Sequence, residues 1–368
     1  MRVLVVGAGI TGAVIARKLA ENGHFISVID QRNHVGGNCH TNRCEKTGVL
    51  EHVYGPHIFH TNDLEVFTFL SNHGEFEDYR HSVKALQNNS VYSLPINLHT
   101  INQFFGKTFN PEEAKDFIAK RGDRSIPDDG SFESLGRRTL GNELYEAFFK
   151  GYTEKQWGRS ASEIPGFIFN RLPVRFNYDD NYFYHDKQAI PKHGYTEIVK
   201  SILDHINIEV QLNQFFERSL LNDYSHCFFS GRLDQFFEFK YGHLPYRTLK
   251  FERVVSKTDI QGTSVINYCD TKVPYTRITE FKYFSKSPTK GSIAYREFSS
   301  ECRPEDIPYY PVKTLHKNDR LKKYLELVGG EANVTFVGRL GSHRYLDMDQ
   351  AIRAALDTAD SFIKVKRP

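Results

Sequence analysis

The chain has 368 residues, enough for two or three domains and for a large core that needs neither disulfides nor a structural metal. Apolar residues at 39% and charged residues at 25%, with mean hydropathy −0.50, describe a globular protein rather than a disordered or membrane-spanning one. A formal charge of +3 leaves no footprint for nucleic acid, and five cysteines without C-x-x-C spacing leave none for zinc or a disulfide framework.

The first element is Val3 to Val6, a continuous apolar run of the kind found in central parallel strands. The uncharged stretch to Ala16 is too short for a bilayer and lacks a charged leader and a small-residue cleavage site. No targeting segment and no membrane insertion are expected, and unpaired thiols point to the cytoplasm. Gly7-Ala8-Gly9-Ile10-Thr11-Gly12 follows, then a helix from Ala13 that closes at Asn22-Gly23, then a second strand from Phe25 to Ile29 ending at Asp30. Strand, glycine turn, helix, strand and acid in that order make a dinucleotide-binding unit. The glycines admit a pyrophosphate to the helix N-terminus, and Asp30 takes ribose hydroxyls. Seven residues after Asp30, Gly37-Asn38 completes a paired-glycine signature similar to that of flavoproteins, which selects FAD over NAD.

Further along, Asn110-Pro111-Glu112-Glu113 carries the cap, proline and acids of a helix start. Ser131 to Lys150 reads as a second helical stretch, with Tyr145, Phe148, Phe149 and Tyr152 on one face. Trp157 ends that region. From Val174 to Tyr184 the aromatics fall at even spacing, which predicts a strand, and 207–300 reads as mixed and strand-rich. Asn333 to Arg339 is an apolar strand breaking at glycine, and Leu346-Asp347-Met348-Asp349 leads into a helix from Gln350 to Lys364. The 50 aromatic residues, 14% of the chain, include arginine neighbours at Arg171, Arg247, Arg277 and Arg344-Tyr345. Guanidinium forks beside tyrosine hydroxyls suit phosphate oxygens, so a second, phosphorylated ligand is expected beside the flavin. His57 and His60 lack a third ligand, no nucleophile elbow or Walker loop occurs, and no metal site is expected.

Longer blocks resemble bacterial UDP-galactopyranose mutase: Val53 to Thr61, Ser93 to Phe105, Glu143 to Thr153, Arg171 to Tyr182, Val273 to Thr279, Ile307 to Pro311 and Gly338-Arg339-Leu340. The resemblance runs from Met1 to about Ala359. It implies an isomerase that interconverts UDP-galactopyranose and UDP-galactofuranose through a covalent adduct between the N5 of reduced FAD and the sugar's anomeric carbon, without net redox. It also implies a reductant such as NAD(P)H or a reductase, a homodimer and a role in cell-surface polysaccharide synthesis. By position, Phe148, Tyr152, Thr153 and Trp157 correspond to the uridine segment, Arg171 and Arg277 to the two diphosphate-gripping arginines, and Tyr182, Tyr310 and Tyr345 to the diphosphate tyrosines. Asn267 and Arg247 are further expected substrate contacts. At the flavin the expected residues are Gly7, Gly9, Ile10, Thr11, Gly12, Asp30, Gln31, Gly37, Asn38, His57, Ile58, Arg339, Leu346, Asp347, Met348 and Asp349, with His57 also grouped with the catalytic arginines. His81 stands where the family pattern has a substrate-side asparagine.

The fold expected from this is α/β: a Rossmann-like FAD-binding domain assembled from 1–80, about 190–235 and 325–368. A helical insert takes about 98–165, with a mobile loop to about 180, and a mixed sheet-rich substrate region takes about 80–97, 170–190 and 235–325. Two alternatives stay open: an FAD-dependent oxidoreductase of the amine-oxidase type, and a mutase acting also on UDP-N-acetylgalactosamine.

Overall fold

The computed structural model describes residues 1–171, 173–315 and 319–365. Leu172 of the expected mobile loop, 316–318 of the expected sheet region and 366–368 of the last segment lie outside the described residues.

A five-stranded parallel sheet is ordered Ile208–Leu212, Phe25–Asp30, Arg2–Val6, His226–Phe229, Val334–Phe336. The expected first strand is its centre. Alternation of side chains splits that strand between two cores: Val3 and Val5 face the helices Ile10–Glu21, Tyr195–Leu203 and Met348–Val365, while Leu4 and Val6 face Phe229 and Phe236. Burial on both faces explains why the run is apolar throughout. The expected opening helix, closing turn and final helix are all present, and Gly23 ends the first of them in a left-handed conformation.

The second sheet has seven strands, in the order Tyr310–Pro311, Tyr246–Ser256, Ser292–Glu301, Arg277–Glu280, Val265–Tyr268, Val83–Gln87, Ser90–Leu94. Its neighbours are antiparallel except for the parallel pair Val265–Tyr268 and Val83–Gln87. Lys187–Pro191 lies elsewhere, between Phe59–Thr61 and Phe76–Asp78 in a small antiparallel sheet. The strand-rich region therefore divides, with 208–212 and 226–229 joining the parallel sheet.

Two expectations fail locally. Val174 to Tyr184 is not a strand; its only pairing is an isolated bridge between Asn181 and Ser82. Its carbonyls turn inward instead, because the buried Arg175 guanidinium takes those of Asp179 at 3.4 Å, Phe183 at 3.2 Å and Asn181. Ser131 to Lys150 is not one helix. Phe132–Leu140 stops at Gly141, where φ is +78° and a Cβ would stand 2.6 Å from the Arg121 carbonyl oxygen. A turn at Asn142–Leu144, a π-helical turn at Tyr145–Lys150 and a helix at Gly151–Trp157 follow. The helix opening at Asn110 is as expected: the Asn110 side chain accepts from the Glu113 amide at 3.0 Å and Glu113 returns the bond at 2.9 Å.

Candidate active site

The glycine turn lies at the carboxyl end of the central strand, with Gly9 capping the helix that starts at Ile10 and Thr11. Gly9 and Gly36 form an isolated bridge, which lays the Gly36-Gly37 segment against the first turn. The approach is close: a Cβ on Gly37 would come within 3.0 Å of the Gly9 Cα. Asp30 joins the pieces, its carboxylate accepting from the Ala8 amide at 2.8 Å and the Arg32 amide at 2.9 Å. Sequence reading passed over Arg32. Its guanidinium donates to Asn38 at 2.8 Å, lies over the Tyr54 ring at 4.5 Å and keeps a buried Nη1 with no partner. The donors of a helix start and an unspent guanidinium fit a dinucleotide pyrophosphate. Gln31 projects to the outside.

Around this cradle, Arg339 donates to the Leu346 carbonyl at 3.0 Å and the Tyr309 carbonyl at 3.2 Å, so its role toward the 346–349 segment is to hold backbone. His57 is fixed by its backbone N–H, which donates to the His52 Nδ1 at 3.0 Å, and by its own Nδ1 at 2.9 Å from the Gly55 carbonyl. Burial pulls its pKa down to about 4, so it is neutral near pH 7. Ile58 packs against the helical core, and Met348 and Asp349 open the last helix.

The second cluster gathers from six places in the chain. Antiparallel pairing sets Asn267 opposite Arg277, whose Nε lies 3.1 Å from the buried Glu297 carboxylate. Arg277 faces Tyr152, with its guanidinium 5.9 Å from the ring, and interacts with Tyr182 and Tyr310. Burial opposes its charge, but Glu297 and these tyrosines more than offset that and hold the guanidinium above its ordinary range. Tyr182 feels both Arg277 and Arg171, so the two arginines share one site. Arg171 lies 4.6 Å over the Tyr345 ring and is held by Asp347 at 2.7 and 2.9 Å. Trp157 is buried against Tyr310 (5.4 Å) and Tyr345 (5.6 Å). The Asn267 Oδ1 is buried and has no protein partner.

Two expected contacts are committed elsewhere. Arg247 donates to the Gln156 carbonyl at 3.1 Å and the Lys155 carbonyl at 3.4 Å, capping the end of the Gly151–Trp157 helix from behind. Phe148 packs edge-on into Tyr92 (5.0 Å) and Phe104 (5.4 Å), and Thr153 is buried in the same helix. His81 is buried in an aromatic box of Tyr182, Phe183 and Phe284, and burial, with the Arg277 charge, pulls it down to about 3. Beside it His60 stacks on Phe183 at 3.7 Å and meets His185 at 2.9 Å. No group of three or more His, Cys, Asp or Glu side chains among the described residues is placed to hold a metal ion.

Residues 147–345 match the family model for UDP-galactopyranose mutase, and 5–72 match one for NAD(P)-binding Rossmann-like domains. A probable UDP-galactopyranose mutase of Klebsiella pneumoniae is 52% identical over 98% of this chain and 94% of its own length. The chain belongs to the UDP-galactopyranose mutase family. Membership makes it a flavin-dependent mutase. Within the family, a dTDP-fucopyranose mutase of Escherichia coli is 48% identical over 99% of this chain and 98% of its own. A crystal structure of reduced UDP-galactopyranose mutase superposes with TM-score 0.79 at 14% identity, covering 99% of this chain and 94% of that one, which is a likeness of fold.

Proposed function

We propose that this mutase interconverts UDP-galactopyranose and UDP-galactofuranose with FAD as its flavin, active in the reduced form and without net redox. One observation carries the reading. Two arginines and four tyrosines surround a site where the buried Asn267 Oδ1 still lacks a partner, a donor-rich lining that suits a diphosphate and a sugar. When bound, reduced FAD supplies the nucleophile, its N5 electron pair, toward the anomeric carbon. The chain's own residues then have three tasks. Gly9, Gly37, Asp30 and Arg32 seat the cofactor, Trp157 and Tyr152 hold the nucleobase end, and Arg171 and Arg277 stabilise the charge on the departing diphosphate. The neutral His57 and His81 keep that region free of further positive charge. A cytoplasmic homodimer supplied with electrons by NAD(P)H or a reductase completes the proposal.

The test is incubation of dithionite-reduced and oxidised protein with UDP-galactofuranose, followed by separation of products. Turnover only after reduction, and without consumption of reductant per cycle, supports the reading. An electron consumed each cycle supports an amine-oxidase-type oxidoreductase instead. A second reading is favoured by the 48% identity to a dTDP-fucopyranose mutase, which makes a deoxynucleotide 6-deoxysugar a competing substrate. Comparing kcat/KM for UDP-galactofuranose, dTDP-fucofuranose and UDP-N-acetylgalactosamine decides between them.

A further inference from the structure

The hairpin that presents Asn267 and Arg277 turns through 269–276, and that turn is wrapped around one side chain from another domain region. Lys155, on the helix Gly151–Trp157, places its Nζ 2.7 Å from the Tyr268 carbonyl, 2.9 Å from those of Asp270 and Val273, and 3.0 Å from that of Tyr275. An ammonium has three hydrogens, so four oxygens at these distances enclose it as they would a bound cation. Without the charge, four carbonyl dipoles would point at one another across a void. The seam is tight at two further points: a Cβ on Gly151 would stand 2.6 Å from the Cys269 carbonyl oxygen, and the Cys269 thiol reaches the Phe148 carbonyl at 3.6 Å. Burial draws the Lys155 pKa down to about 8, against the smaller opposing pull of Cys269 and Asp270.

We propose that Lys155 is a positioning residue that locks the 269–276 turn, and with it Asn267 and Arg277, to the helix carrying Tyr152 and Trp157. The ammonium thereby sets the spacing between the nucleobase end and the diphosphate end of the substrate site. Arg277 and Asn267 sit on the two strands leaving this turn, so a slack turn moves both together. The inference rests on the nucleotide-sugar reading of that site, and its test separates the two.

In wild-type protein, turnover of UDP-galactofuranose is measured first; absence of turnover removes the substrate reading and says nothing for the lysine. With turnover established, Lys155→Met is expected to keep its flavin absorbance while kcat/KM falls roughly 10- to 100-fold, the range for a misplacement of about 1 Å. Mass-spectrometric alkylation should then show Cys269, 3% exposed in the wild type, reacting faster, with Cys227, 1% exposed in the parallel sheet, unchanged. In Lys155→Ala, n-propylammonium should restore activity several-fold, and tetramethylammonium, which has no N–H, should not. Gly151→Ala pushes on the same turn without removing the charge, and reads the seam should the lysine variants fail to fold. A Lys155→Met enzyme within twofold of wild-type kcat/KM overturns the proposal. So does an activity loss in the variants without Cys269 exposure, or one that no alkylammonium reverses.

Discussion

Gly9 and Gly12 are three residues apart in one turn, yet their replacement should fail in different ways. At Gly9 the backbone is extended, with φ −79° and ψ −179°, a region that β-branched residues favour. The nearest heavy atom to an added Cβ is the Gly37 Cα at 3.7 Å, ordinary van der Waals contact. Gly9→Val should therefore fold with a stability change within about 1 kcal/mol, the side chain standing where the pyrophosphate must come. At Gly12 a Cβ would lie 2.0 Å from the Gly7 carbonyl oxygen and 3.1 Å from a Val5 methyl. Relieving that overlap requires the helix to move off the central strand, so Gly12→Ala should cost about 1–3 kcal/mol as an overpacking change, with cofactor loss as a consequence. Visible absorbance per chain reads flavin content, and urea unfolding of flavin-free protein reads stability. Gly9→Val that retains wild-type flavin, or loses as much apoprotein stability as Gly12→Ala, would refute the placement of the pyrophosphate over Gly9.

Other outcomes follow from the substrate cluster. Trp157→Ala should chiefly raise KM, by about 1–3 kcal/mol in binding, whereas Arg277→Lys and more strongly Arg277→Ala should lower kcat; steady-state kinetics showing the reverse split would reassign both residues. Glu297→Gln leaves the Arg277 charge uncompensated and should destabilise by about 3 kcal/mol, with UDP recovering part of the melting temperature by supplying the missing anion. Equal losses with and without UDP would contradict that. In acid, burial holds His52, His57, His60, His81 and His343 at pKa values of about 3 to 4, below the ordinary 6.5. The unfolded chain binds more protons in that window, so stability is full above pH 6.5 and falls as pH drops toward 4, by up to about 1.4 kcal/mol per unit for each histidine. A flat urea midpoint between pH 6.5 and 5 would overturn the neutral assignment.

What the sequence disclosed divides by range of interaction. The dinucleotide unit was legible because strand, turn, helix and acid are contiguous and each glycine has a local steric reason. At the second cluster, arginines beside tyrosines pointed to a phosphorylated ligand, but which residues join came only through family resemblance, since Tyr152, Arg171, Tyr182, Asn267, Arg277, Tyr310 and Tyr345 meet by topology. The 174–184 strand misled because alternating aromatics mimic a pleat, while Arg175 alone decides where the carbonyls turn. The 131–150 helix misled because Gly141 reads as tolerable in a helix until the Arg121 carbonyl is beside it. Arg32, Glu297 and Lys155 passed unnoticed; a charged residue carries no periodicity, and each is defined by what folds around it.

The order of the parallel sheet also constrains how the chain is made. Its last strand, Val334–Phe336, docks on His226–Phe229, whose four residues are all buried. At 5–20 residues per second, about 15–60 s of synthesis separates the second strand from the last, with one edge of the sheet open throughout. A nascent chain stalled before 334 would present a ladder of unpaired hydrogen-bonding groups from an apolar strand. Native contacts cannot cover that edge until residues 334–336 have been made and docked.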